Sequence, residues 1–158
     1  MEYATVKLIH VIGAILFLGN IIVSAVWKIQ ADRTNNPVVI AFACRLINVT
    51  DLAFTALGSA LIVIGGIGLF HATGIALSEA PYLIYGIGLF GMAAMLWLVG
   101  LLPLQIYMSK IAAKTVANAE TEMPASYEKC RRLWNMVGRI AILFPLAALY
   151  LMIMRPDF

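Results

Sequence analysis

Four stretches of this chain run for more than 20 residues with at most one formal charge each, and that pattern limits the fold more than anything else in it. The hydrocarbon core of a bilayer is about 30 Å thick and takes about 20 helical residues to cross. In lipid every backbone amide and carbonyl must find its partner inside its own helix. A soluble alternative fails on composition. Of 158 residues, 63% are apolar and 12% charged, with a mean hydropathy of +0.94. A globule this small cannot enclose such a surplus. The same figures exclude a disordered chain, a collagen-like repeat and a basic tail for nucleic acid. The fold class is therefore an all-α integral membrane bundle of four helices, up and down, filling residues 1–158 as one domain.

The spans are expected at about 3–27, 46–70, 82–107 and 133–154. The first is too long in its apolar part for a secretory signal and lacks a small-residue cleavage site, so it reads as a retained helix. Trp27 and Lys28 resemble an interfacial aromatic followed by a snorkelling cation. Asp32, Asn35, Asn36 and Pro37 end this helix. Pro37 can open a short apolar helix that either continues into the second span or lies in the interface. Residues 71–81 form a nearly uncharged connection. Residues 109–132 form the longest polar stretch, expected to be partly helical at the membrane surface.

The cations set an orientation. Lys28, Arg33, Arg45, Lys110, Lys114, Lys129, Arg131 and Arg132 fall in the first and third connections, whereas Lys7 and Arg155 lie on the opposite side. Eight against two places those connections in the cytoplasm and both termini outside. Cys44 and Cys130 then face a reducing compartment, where structural disulfides rarely persist.

Polar residues inside the spans are the candidates for function, because each is costly in lipid. On the first helix Lys7, His10, Ala14, Phe17, Asn20 or Ile21, Ser24 and Lys28 recur at three- or four-residue steps and share one face. His10, buried inside an apolar span, is a candidate for ligand or proton chemistry, with a purely structural role as its plainer reading. His71, at the same outer side, is the candidate second ligand, with a helix-capping role as its plainer reading. Nearer the cytoplasm, Asn20, Arg45, Asn48, Asp51, Gln105, Asn135 and Arg139 are expected to form a polar network, with Arg139 pairing Asp51. Such a network fixes helix register or carries a proton or substrate. No phosphate loop, GxGxxG or HExxH is present. Eight methionines suggest Cu(I), but they lack convergent spacing and suit packing.

The run KLIHVIGAILFLGNIIVSAVWKIQADRT, followed by PVVIAFACRLINVTD, resembles the bacterial integral membrane family called domain of unknown function 2269, along essentially the full chain. Lys7, His10, Gly13, Gly19, Asn20, Trp27, Lys28, Asp32, Arg33 and the Arg45–Asn48–Asp51 segment carry the resemblance. It implies a four-helix protein of the bacterial cytoplasmic (inner) membrane. A more distant similarity is to HemJ-type protoporphyrinogen oxidase and to the membrane domain of CopD-like copper proteins. It implies haem b, with His10 matching a haem-associated histidine early in helix one. The stretch YLIYGIGLFGMAAM lacks the basic residues that HemJ-like proteins carry on later helices, so the similarity points to haem binding rather than oxidase activity.

Two classes follow. The first is a b-type haem protein in electron transfer or oxidation of a hydrophobic substrate, with Gly65, Gly66, Gly68, Gly86, Gly88 and Gly91 admitting a flat macrocycle. The second is a non-enzymatic accessory subunit or small transporter, completed by a homodimer or a membrane-complex partner. Both have the lipid bilayer as partner and neither involves nucleic acid. Whether the chain is an enzyme is left open by its sequence.

Overall fold

A computed structural model, in which residues 2–156 are described, is built from four long helices. They are α1 (Tyr3–Arg33), α2 (Pro37–Thr73), α3 (Pro81–Ala117) and α4 (Ala125–Met154). All four are long and apolar enough to cross a membrane. The turns between them follow from local chemistry. Asn35 takes the left-handed conformation at φ 52°, which asparagine tolerates better than most residues. Asn36 then caps α2 by accepting a 2.9 Å hydrogen bond from the Val38 amide, with Pro37 as the first helical residue. Gly74 ends the helix at φ 63°.

Pro37 thus opens α2 itself, and the apolar segment after it continues into the second span without lying in the interface. At 37 residues each, α2 and α3 are about 55 Å long at 1.5 Å per residue, well beyond the hydrocarbon thickness. The end bearing the connections 34–36 and 118–124 carries most of the charged residues and is called here the charged end. The helices meet there around Ile40, Cys44, Met108, Ala112, Tyr127 and Trp134. Segment 109–132 is partly helical, as expected: residues up to Ala117 prolong α3, and α4 starts at Ala125 with its first turns packed into the bundle. The physical reason is its strongly one-sided first half: Tyr127 and Trp134 are buried while Arg132 and Leu133 face outward.

Toward the opposite end, where residues 74–80 connect α2 to α3, the helices pair: α1 with α2, and α3 with α4. Phe17 and Phe90 touch between the pairs, ring centroids 5.5 Å apart. The α1–α2 pair is close because glycines sit where the backbones meet. A Cβ at Gly13 would lie 2.7 Å from the Ile62 nitrogen, one at Gly58 2.8 Å from the Phe17 nitrogen, and one at Gly65 2.6 Å from the His10 nitrogen. Without a hydrophobic drive between helices in lipid, such close packing supplies much of their association.

Two helices carry a π-helical segment, Asp51–Ala56 in α2 and Leu96–Leu101 in α3. Such widened turns re-aim side chains and are frequent at functional sites. Both supply residues to the same polar centre.

Candidate functional site

The face expected on α1 is buried from Phe17 to Lys28, whereas at its outer end Lys7 is exposed, His10 and Ala14 are half-buried, and Val6 turns inward instead. Phe17, Asn20, Ser24 and Lys28 are buried, with Gly13 above them and Ala31 below. Each polar member meets a different neighbour, so the face divides into two centres about two turns apart along α1.

The deeper centre is built on Asp51, whose residue is 6% exposed. Its Oδ1 accepts hydrogen bonds from Asn20 Nδ2 at 2.8 Å and from the Thr55 hydroxyl at 3.2 Å. Its Oδ2 accepts from Trp97 Nε1 at 3.1 Å and from Gln105 Nε2 at 2.6 Å. Asn20 Nδ2 also donates to Thr55 Oγ1 at 2.8 Å. Trp134 Nε1 donates to Gln105 Oε1 at 3.2 Å. An indole N–H can only donate. Trp134 therefore claims the carbonyl oxygen of Gln105 and turns the amide nitrogen toward Asp51. Every bond in the centre runs toward the carboxylate.

This differs from the expected ion pair. Arg139 is exposed and supplies none of the four bonds to Asp51. No Asp51–Arg139 salt bridge forms among the described residues. The reason is rotational: α4 turns Trp134 and Ala141 inward, which carries Arg139 to the outer surface. Of the other expected members, Asn20 and Gln105 join the centre, Arg45 is exposed, and Asn135 is half-buried without joining it. Asn48 is adjacent, and its Oδ1 is buried with no hydrogen-bond partner. Thr55, Trp97 and Trp134 complete the centre. The tryptophans had a readable signal, since a buried indole usually finds an acceptor.

The second centre lies nearer the charged end. Lys28 is 2% exposed, so the snorkelling expected of it is corrected: its ammonium turns inward. It donates to Asp32 Oδ1 and Oδ2 at 2.7 and 2.6 Å and to the Tyr127 hydroxyl at 2.7 Å. Tyr127 in turn donates to Asp32 Oδ1 at 2.7 Å. The Cys44 thiol lies 3.8 Å from the same hydroxyl. Lys28 is drawn in because Asp32, one turn on, and Tyr127 across the bundle together occupy its three N–H donors. Sequence spacing exposes the Lys28–Asp32 step but not Tyr127, which lies 99 residues away.

The histidines are not gathered into one site. His10 Nδ1 lies 2.8 Å from the Ile62 carbonyl oxygen on α2, and its ring rests beside Gly66. His71 is exposed and lines a shallow, open cavity of about 480 Å³ with Val6, Ile64, Ile67, Gly68 and Ala72, without His10. Gly65 and Gly68 are taken up by the His10 backbone and by Val6, so they serve helix packing rather than approach of a macrocycle. Among the described residues no three His, Cys, Asp or Glu side chains converge as a metal site.

No curated protein and no solved structure matches this chain, and nothing links it to HemJ-type or CopD-like proteins. The family described as predicted integral membrane protein (DUF2269) matches residues 4–156. With two polar centres buried in a bundle of four membrane-spanning helices, the chain is an integral membrane protein and belongs to that family.

Proposed function

We propose that the chain is a small transporter or accessory subunit of a membrane complex in which Asp51 takes up and releases a proton, with the charged end in the cytoplasm. One observation carries this reading: a carboxylate within the apolar spans is met by four donors, all neutral. An ionisable side chain at such a depth is expensive and is by default a functional element. Register alone is served as well by a neutral amide. The groups facing Asp51 are Asn20 from α1, Thr55 from α2, and Trp97 and Gln105 from α3, with Trp134 of α4 behind Gln105. None of them titrates in the physiological range.

Thr55 supplies the adaptability that proton exchange requires. The two indoles and the pinned amide of Gln105 cannot reverse. The Thr55 hydroxyl can rotate from donor to acceptor when Oδ1 gains a proton. Infrared difference spectra between acid and alkaline buffers are expected to contain a buried carboxylic C=O band that Asp51→Asn removes and Thr55→Val shifts. Spectra of wild type and Asp51→Asn that coincide would rule the reading out.

A second reading, haem b held by His10, has one specific support. If Nδ1–H donates to the Ile62 carbonyl, Nε2 keeps its lone pair, the tautomer in which a histidine ligates a metal. The cofactor would supply redox chemistry, and His10 would hold it. After haem-replete expression and purification in mild detergent, this reading expects a Soret band that His10→Ala abolishes. A folded, colourless wild-type protein ends it.

A further inference from the structure

Asn48 is the one residue among those described whose side chain has a buried polar atom with no hydrogen-bond partner. Its position gives that orphan a meaning. On α2, Asn48 lies one helical turn from Cys44 and one turn from Asp51. On α1, Ser24 lies one turn from Lys28 and one turn from Asn20. The two helices run antiparallel, and their register is fixed at both ends. Asn20 bonds Asp51 and Thr55, while Lys28 and Cys44 share the Tyr127 hydroxyl. Ser24 and Asn48 therefore stand at the same level, between the two polar centres. Ser24 is 5% exposed, and its hydroxyl makes only a long, 3.3 Å bond to the Ile21 carbonyl of its own helix.

We infer that Ser24 and Asn48 bind an internal water, which joins the Lys28–Asp32–Tyr127 centre to Asp51 in one hydrogen-bonded path from the charged end into the membrane. A buried acceptor without a partner costs about 1–3 kcal/mol, and a bound water that bonds it recovers most of that. The alternative direct partners are committed elsewhere: Asn20 to Asp51 and Thr55, Lys28 to Asp32 and Tyr127. A proton passing along the path hops. The water accepts one proton and releases another, so each relay group ends as it began. The net change is loss of one proton from the aqueous phase at the charged end and conversion of the Asp51 carboxylate to its acid.

The role of the path deepens the proposal for Asp51 and rests on it, whereas the water site itself does not. Two measurements on the full chain in lipid separate them. Water-edited solid-state NMR is expected to transfer magnetisation from water to the Asn48 side chain, and Asn48→Leu or Ser24→Ala to reduce transfer to the remaining partner. Time-resolved infrared after a switch to D₂O is expected to show exchange of the Asp51 acid band slowed several-fold by both variants, with its amplitude unchanged. Ser24→Ala removes only one oxygen and guards against misfolding of the leucine variant. Absence of water transfer to Asn48 overturns the site. Exchange as fast as wild type in both variants overturns the path while leaving Asp51 as the proton site. A wild-type protein with no Asp51 band would instead defeat the functional reading, with the NMR result still deciding the water.

Discussion

Asp51→Ala is expected to destabilise the folded bundle by about 2–4 kcal/mol, while Arg139→Leu is expected to change it by less than about 0.5 kcal/mol. The large term comes from the donors left behind. Removing the carboxylate strands Asn20 Nδ2 in part, Trp97 Nε1 and Gln105 Nε2, with Asn20 and Gln105 buried and Trp97 half-buried among the helices. Hydrogen bonds inside membrane bundles are worth about 0.6 kcal/mol each on average and up to about 1.7 kcal/mol, and the centre loses four. Thr55 recovers some, because its hydroxyl can turn to a backbone carbonyl of the preceding turn. Arg139 has no such dependants, being exposed on the outer side of α4. Denaturant unfolding in mixed micelles, followed by tryptophan fluorescence, measures both. Equal losses for the two variants would restore the ion pair and dismantle the four-donor arrangement.

The sequence made some of this legible because certain signals are local. Apolar length located the four membrane helices, and three- and four-residue spacing identified the α1 face through Asn20, Ser24 and Lys28. Asp51 stood out as the lone charge in the second span. What it could not provide was the rotation of each helix about its own axis. Arg139 was the obvious counter-charge by depth, yet depth says nothing about azimuth, and α4 presents Trp134 instead. The π-helical segments compound the problem. One widened turn in α2 and another in α3 shift the inward faces away from the regular periodicity, so extrapolating a 3.6-residue pattern through them misplaces the side chains beyond. Lys28 illustrates the other blind spot. A lysine after Trp27 at the end of an apolar run normally reaches for water, and its burial depends on Tyr127 from the far side of the chain.

The two centres differ in a way that bears on how the bundle works. Asp51 is satisfied entirely by neutral dipoles, so its protonation leaves the surrounding donors in place apart from one rotating hydroxyl. Lys28 and Asp32 are a true ion pair, and a lasting change of charge in either would strand the other. The first arrangement suits a group that cycles between states. The second suits a fixed clasp at the charged end, in which the Tyr127 hydroxyl ties the Lys28–Asp32 pair of α1 to α4.

That distinction sets the last expectation. Asp32→Leu alone should destabilise the protein by about 3–5 kcal/mol, because it leaves the Lys28 ammonium buried without its counter-charge. Lys28→Met alone should cost a similar amount by stranding the carboxylate. The pair Lys28→Met with Asp32→Leu should cost clearly less than the two together, since it removes both charges and replaces them with apolar volume. Tyr127→Phe should be milder, about 1–3 kcal/mol, losing the hydroxyl that Lys28 and Asp32 share while the ion pair itself persists. A double-mutant cycle on unfolding free energies reads the coupling directly, and a coupling near zero would mean that Lys28 and Asp32 act independently, with Lys28 turned outward as its place beside Trp27 first implies. Strong coupling, together with infrared bands at Asp51 unchanged in the double variant at equilibrium, is the outcome expected of a clasp that holds the helices without itself being the titrating site.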